Sequence, residues 1–227
     1  MKRILFVELI GGVGDLVIAL PAIHALALSH PQAELTVLTF GPGNELLAAD
    51  PLVHRALATE RGDDTHPERP RLALEALLAR ERFDLIVSDT RYAGIDSLIK
   101  ATGARAVTNL WRQPPANQRV DERFLEILYQ ERLIEPWTLD LRPRLALEAA
   151  DHLWAAAHLP PASRRVLLHP HTGMPIKAWP HDRFVALGQA LHDEMGMQIV
   201  IPSGVGPEAE RASQIAEALG PVAILLP

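Results

Sequence analysis

Cysteine is absent from the 227 residues of this chain. Disulfide bonds, thiolate-bound metal centres and cysteine nucleophiles are therefore excluded as a basis for its structure or chemistry. A chain without disulfides suits the reducing cytoplasm, which is where we expect this protein to act.

Long apolar runs and an excess of basic residues are also lacking. The longest apolar stretch, residues 16–28, is shorter than the roughly 20 residues that a membrane-spanning helix needs, and it contains His24. The net charge is −6, whereas nucleic-acid binders usually carry a basic stripe. We therefore expect neither a membrane-spanning protein nor a nucleic-acid-binding one.

Hydrophobic residues make up 48% of the chain, which is enough to build a buried core. Predicted strands and helices alternate along it, a pattern typical of proteins built around parallel sheets. The first apolar run, residues 4–10, is interrupted only by Glu8 and indicates a strand buried on both faces. The helix that follows contains Pro21, where we expect it either to kink or to restart.

The other predicted elements follow from apolar periodicity. The strands are residues 34–40, 84–89, 104–110, 166–169, 198–201 and 222–226, and the helices are residues 15–30, 72–82, 120–133, 147–159, 182–194 and 208–219.

A break at Pro160 and Pro161 separates two series of alternating strands and helices. The sequence therefore predicts an α/β fold with two Rossmann-like lobes, one over residues 1–150 and one over residues 162–227. The second series has only three strands and two helices, so we expect that lobe to be incomplete in this chain.

The segment GGVGD follows the first predicted strand and opens a helix. Gly11, Gly12 and Gly14 would let a ligand approach the backbone, and the helix start offers free N–H groups. A dinucleotide-binding fingerprint would need a further glycine where Val17 stands. Asp15 has two possible roles that the spacing leaves open, capping the helix or acting as a general base at the carboxyl end of a strand.

Two later loops also follow strands and precede helices. In the first, Thr172 and Lys177 suit a diphosphate, because a hydroxyl, an ammonium and loop N–H groups can all contact phosphate oxygens. In the second, Glu208 could accept hydrogen bonds from ribose hydroxyls. The alternatives are a solvated lysine and a glutamate that favours the helix dipole. Metal binding by the loop histidines, His169 and His171, is not favoured, since no acidic ligand has matching spacing.

Together these segments resemble glycosyltransferase family 9, the heptosyltransferases. The family pattern includes Gly-Asp, an apolar helix and Leu-Pro-Ala, found here as GDLVIALPA at residues 14–22. It continues with a His-Pro strand end, found here at residues 169–170, and a Lys-x-Trp-Pro segment, found here at residues 177–180. A Gly-containing loop before a Glu-rich helix comes next, found here at residues 202–211. The resemblance covers essentially the whole chain.

The resemblance implies a fold of the GT-B type and an inverting, metal-independent transfer from a nucleotide-diphosphate sugar, ADP-heptose above all. The acceptor would be a glycolipid or glycan of the lipopolysaccharide type, with peripheral contact to the membrane that carries it. Asp15 matches the family's general base, Lys177 and Thr172 its diphosphate contacts, and Glu208 its ribose ligand. No cofactor and no metal are implied. The resemblance also implies a later segment, Asp-Ser/Thr-Gly-x-x-His, which we expect to follow the residues of this chain.

Two other functions compete with this interpretation. A nucleotide-binding module without catalysis would have no need of a carboxylate at position 15. A different sugar-nucleotide enzyme, such as an epimerase, is less compatible with the KAWP segment at residues 177–180.

Overall fold

The computed structural model describes residues 1–112, 117–161, 164–172 and 174–227. Ala162, where we predict the second lobe to begin, and Gly173, in the predicted phosphate loop, lie outside the described residues. The chain forms two units, Met1–Glu148 and Ala149–Pro227.

The first unit contains five strands and five helices among its described residues. The strands are β1 (Arg3–Val7), β2 (Glu34–Phe40), β3 (Arg55–Thr59), β4 (Leu85–Ser88) and β5 (Arg105–Val107). The helices are α1 (Val13–Ser29), α2 (Gly43–Leu46), α3 (Arg69–Arg80), α4 (Ile95–Ala101) and α5 (Val120–Gln130), with short 3₁₀ turns at Tyr92–Gly94 and Pro136–Thr138.

The five strands form one parallel sheet in the order β3-β2-β1-β4-β5. Strand β1 lies at the centre, as its apolar sequence predicts, because a strand covered on both faces needs apolar side chains on both. Ile4 and Phe6 pack on the face covered by α1 and α5, while Leu5 and Val7 pack on the face covered by α3 and α4. The parallel strands end together at one edge, which places the turns after them side by side.

Helix α1 is the apolar helix that leads away from this edge. It runs without interruption through Pro21, so the alternative of a helix that restarts there is not what the chain adopts. Its buried residues, among them Leu16, Leu20 and Ile23, pack in one cluster with Phe124 and Leu128 of α5. This packing fixes the first turn of α1 against the sheet.

The second unit repeats the strand–helix alternation on a smaller scale. Helix α6 (Ala149–His158) precedes strands β6 (Arg165–Leu167), β7 (Gln198–Pro202) and β8 (Ala223–Leu226), with helices α7 (His181–Met195) and α8 (Pro207–Leu219) between them. The strands are parallel in the order β6-β7-β8. A separate core forms around Ile199, Ile201 and Ile215. The prediction of two α/β lobes with parallel sheets is confirmed.

The structure differs from the sequence prediction in several elements. The short helix α2 was not predicted, and β5 is shorter than the predicted strand over residues 104–110. Strand β1 ends at Val7, and Glu8 begins the turn, so the predicted strand over residues 4–10 is too long. Strand β3 and helix α4 were not predicted, because they have only five and seven residues and show no long periodic pattern. In the part of the chain that the structure describes, no helix is both long and apolar enough to cross a membrane.

Candidate functional site

Asp15 lies in the turn between β1 and α1, at the carboxyl edge of the first sheet. Gly12 is the N-cap of the helix, and Asp15, at the third helical position, caps it by accepting the N–H of Gly12 as in a capping box. Its Oδ2 accepts a hydrogen bond of 2.8 Å from the N–H of Gly12. Its Oδ1 makes no hydrogen bond with any described residue, and the side chain is half-buried. One carboxylate oxygen is therefore fixed and the other is available.

The three glycines of the turn differ in what surrounds them. A Cβ on Gly11 would lie 1.6 Å from Oδ2 of Asp15, so this position admits no side chain while that carboxylate stays in place. A Cβ on Gly12 would lie 3.4 Å from Nη2 of Arg61, and one on Gly14 would meet nothing within 4 Å. Gly11 thus makes room for Asp15, whereas the space beside Gly14 is open.

Two further carboxylates, on Glu8 and Asp89, lie beneath this turn. Each is only 1% exposed. Burial is the main cause that raises the pKa of Glu8, and the nearby negative charge of Asp15 raises it further. The hydrogen bond from Thr39 lowers this pKa but does not outweigh burial. Burial and then the charge of Glu8 raise the pKa of Asp89 well above its usual value. Sequence reasoning missed this pair, since Glu8 stood out only as a polar interruption of an apolar run.

A cavity of about 420 Å³ opens beside the turn, at the same edge of the sheet. The loops after β1, β3 and β4 line it together with the end of β2, and its polar and aromatic lining residues are Phe40, Arg61, Asp63, Asp64 and Tyr92. Cavities of this size with a few polar groups are typical of sites for small ligands or sugar units.

Arg61 connects this cavity to the turn that carries Asp15. Its guanidinium lies 4.8 Å from the centre of the Phe40 ring and also donates a hydrogen bond to the carbonyl of Gly11. The pKa of Tyr92 is raised to about 12, first by burial and then by the charges of Asp89 and Glu8, with Arg61 acting in the opposite direction. The phenol of Tyr92 is therefore a neutral hydrogen-bond donor at physiological pH. Sequence reasoning missed Arg61, because it lies in an aperiodic loop.

The predicted donor residues lie in two loops of the second unit, after the adjacent strands β6 and β7. Thr172 forms a local turn in which its hydroxyl bonds to the backbone of Met174 at 3.3 Å. Lys177 ends a 3₁₀ turn, Pro175–Lys177, and is exposed. Glu208 is the second residue of α8. All three follow the carboxyl ends of their strands, which is where ligands of open α/β sheets bind.

Two contacts join these loops. Nε2 of His171 donates a hydrogen bond of 2.9 Å to the carbonyl of Pro202, and the guanidinium of Arg211 donates to the carbonyl of Trp179. Gly204 lies where they meet, with φ +80°, and a Cβ there would be 3.1 Å from Nε2 of His171 and 3.2 Å from Oε2 of Glu208. His171 and Glu208 thus both border Gly204, an arrangement that the sequence did not reveal.

Within the described ranges, no group of three or more His, Asp or Glu side chains has the spacing to hold a metal ion.

Comparison with known proteins places these two sites in context. Residues 101–227, more than half of the chain, match the family described as glycosyltransferase family 9 (heptosyltransferase). No curated protein sequence gives a significant match.

Solved structures with a similar fold include three glycosyltransferases. Escherichia coli heptosyltransferase WaaC with ADP is 20% identical, with a TM-score of 0.67, and the match covers 100% of this chain and 74% of that one. A family 9 glycosyl transferase from Veillonella parvula is 15% identical, with a TM-score of 0.72 and coverage of 99% and 69%. E. coli ADP-heptose LPS heptosyltransferase II is 19% identical, with a TM-score of 0.68 and coverage of 99% and 72%.

Proposed function

The chain belongs to glycosyltransferase family 9, the heptosyltransferase family, and from this premise we propose that it transfers a heptose from ADP-heptose to a glycan acceptor of the lipopolysaccharide type. Structures with the same fold support the choice of donor. One contains ADP, and another contains ADP-2-deoxy-2-fluoro heptose.

The observation that carries the proposed mechanism is the placement of Asp15. Its Oδ2 is held by the Gly12 N–H, while Oδ1 has no partner among the described residues. A carboxylate held in this way at the carboxyl edge of a parallel sheet can take a proton from an acceptor hydroxyl. We assign Asp15 the role of general base.

The donor is assigned to the loops of the second unit. The ammonium of Lys177 would balance charge on the diphosphate, and the Thr172 hydroxyl and loop N–H groups would add hydrogen bonds. The Glu208 carboxylate would accept hydrogen bonds from ribose hydroxyls. Gly204 supports this assignment, because its missing side chain leaves the space directly beside Glu208 free.

The acceptor is assigned to the cavity of about 420 Å³ in the first unit. Its exposed aromatic side chain, Tyr92, offers a face on which a sugar ring can pack and a hydroxyl that can donate a hydrogen bond to a sugar oxygen. Arg61, Asp63 and Asp64 also line the cavity, and their charged groups can hydrogen-bond to sugar hydroxyls. Ile10, from the turn that carries Asp15, lines this cavity, and Arg61 reaches from the cavity to the carbonyl of Gly11. An acceptor bound there would lie beside the turn that carries the base.

The reaction that fits these groups is a direct displacement. The acceptor oxygen would attack C1 of the donor sugar on the face opposite the diphosphate, and its proton would pass to Asp15. The bond between C1 and the diphosphate oxygen would break, with ADP as the leaving group, so the configuration at C1 would invert. Lys177 and the loop N–H groups would stabilise the charge on the leaving diphosphate without a metal ion.

The experiment is a transfer assay with the full-length protein and a lipopolysaccharide core acceptor. ADP-heptose and a UDP-sugar are supplied in parallel, with and without a chelator, and nucleotide release and product mass are measured. We expect ADP release and heptose addition that the chelator leaves unchanged, with an inverted anomeric configuration by NMR. Transfer only from the UDP-sugar, or retention of configuration, would refute the proposal.

A further inference from the structure

Three polar side chains form a row across the centre of the first sheet, at its carboxyl edge. Val7 pairs with Leu38 on β2 and with Ser88 on β4, so the residues that follow, Glu8, Thr39 and Asp89, lie side by side. All three are only 1% exposed. The row therefore lies directly under the turn that carries Asp15.

The hydrogen bonds of the row leave one carboxylate oxygen without a partner. The Thr39 hydroxyl donates to Oε2 of Glu8, and the N–H of Leu9 donates to Oδ1 of Asp89 at 3.2 Å. Oε1 of Glu8 is buried and forms no hydrogen bond with the described residues. The N–H groups of Ile10 and Gly11 lie near this carboxylate and lower the pKa of Glu8, but burial outweighs them. A buried carboxylate oxygen without a hydrogen bond is costly when charged, whereas a protonated carboxyl carries no charge and can itself donate.

The charged and titratable groups that face the pair do not neutralise it. Asp15 approaches from α1 and adds negative charge, and Tyr92 approaches from the loop after β4. Arg61, from the loop after β3, is the nearby cation, but its guanidinium is directed to the carbonyl of Gly11 and the ring of Phe40. Among the described residues, no lysine or arginine forms an ion pair with Glu8 or Asp89.

Two adjacent buried carboxylates without a cation cannot both be ionised at small cost, so one of them keeps a proton to a higher pH. We propose that Glu8 and Asp89 together keep one proton to a higher pH than free carboxyls do, and that they act as a positioning pair for Asp15. The role assigned to Asp15 rests on the proposed function, whereas the shared proton does not.

Only a few backbone residues connect the Glu8–Asp89 pair to Asp15. Asp89 holds the N–H of Leu9, and Gly11, two residues on, is in contact with the Asp15 carboxylate. Loss of the shared proton would place a second negative charge beneath this turn, facing Asp15. Repulsion would then weaken the hydrogen bond between the Gly12 N–H and Asp15. The protonated pair keeps the turn, and with it the base, in place.

The raised pKa of both groups fixes the sign of the effect on stability. The folded state binds the proton more tightly than the unfolded chain, so the bound proton stabilises the fold. This stabilisation is complete below the unfolded pKa values, 4.5 for Glu and 3.8 for Asp, and is lost as pH rises through the folded pKa. For one proton, the unfolding equilibrium constant of the first unit should rise about tenfold per pH unit in that window.

NMR of the full-length protein tests both parts. The side-chain carboxyl carbons of Glu8 and Asp89 are followed against pH, together with the amide proton of Gly12. We expect the pair to release its last proton at a clearly higher pH than free carboxyls, which titrate at about pH 4. We expect the Gly12 amide to shift at the same pH, because it reports on the bond to Asp15.

Glu8→Gln fixes the neutral form and should abolish that alkaline shift of the Gly12 amide. Glu45→Gln, at an exposed position on α2, is the matched control and should retain it. Ionisation of both carboxyls at about pH 4, as for free carboxyls, would overturn the shared proton. A Gly12 amide that shifts identically in Glu8→Gln would overturn the positioning role. Neither readout needs transfer activity, so failure of the proposed function would be recognised separately.

Discussion

Gly11→Ala is the substitution that most directly tests the link between the turn and the base. The added methyl group would lie 1.6 Å from Oδ2 and 2.4 Å from Cγ of Asp15, far inside contact distance. The side chain of Asp15 is more flexible than the backbone, so we expect it to rotate away. It would then lose the 2.8 Å hydrogen bond from the Gly12 N–H.

The expected change in stability is small. A hydrogen bond at a helix start contributes about 0.5–2 kcal/mol. Part of its loss is offset by the lower unfolded-state entropy of alanine, about 0.4–1 kcal/mol. The free energy of unfolding should therefore fall by about 1 kcal/mol or less. Turnover should fall far more, by roughly 10²-fold, since a displacement of about 1 Å in a reacting group has that effect.

The assay compares kcat for glycosyl transfer with thermal melting, and Gly14→Ala is the matched control. A methyl group at position 14 meets nothing within 4 Å, so Asp15 should stay in place and kcat should stay near that of the parent. If Gly14 borders the path of a substrate, KM should rise instead. A Gly11→Ala protein with kcat within about twofold of the parent would refute the link between this turn and the base.

Two further predictions concern the donor loops. Lys177→Ala should weaken ADP binding by about 10–100-fold in calorimetry, the loss expected for one charge-assisted contact, while Lys100→Ala in the first unit should bind ADP like the parent. Gly204→Ala should destabilise the second unit by about 1–2 kcal/mol because of its φ of +80°, and should also weaken ADP binding by crowding Glu208. Gly196→Ala is the control, because Gly196 has a φ of +63° and no neighbour within 4 Å. It should lose similar stability but bind ADP normally. Equal ADP affinities of Gly204→Ala and Gly196→Ala would contradict the assignment of Glu208.

The parts of the fold that the sequence predicts well are those with strong local patterns. The central position of β1 follows from a run of apolar residues, and α8 follows from Pro207 at its start and Gly220 after its end. The edge strand β3, with the sequence RALAT, has weak strand preference and half-buried side chains. Its pairing with β2 decides its conformation, and no local pattern records that pairing.

The same distinction applies to the candidate site. Asp15 could be found because its glycine-rich turn is contiguous in the sequence. Glu8 and Asp89 are 81 positions apart and become neighbours only through the register of β1 against β4. Arg61 reaches the carbonyl of Gly11 from a loop 50 residues away. Contacts of this kind depend on tertiary structure, which composition and periodicity do not specify.

The role of Asp15 as the base of a sugar transfer is the central claim, and Asp15→Asn tests it most directly. Asparagine has nearly the same size and can still accept the Gly12 N–H, since Asn and Asp cap helices about equally well. It cannot take up a proton as the carboxylate does. Asp140→Asn, at an exposed position of the first unit, controls for the loss of one charge.

The measurement is heptose transfer from ADP-heptose with ADP release, in parallel with thermal melting and ADP affinity. Asp15→Asn should melt and bind ADP like the parent, while turnover falls by roughly 10²–10⁴-fold, the usual contribution of a general base. Asp140→Asn should retain full turnover. Turnover of Asp15→Asn within about twofold of the parent, with folding intact, would contradict the account.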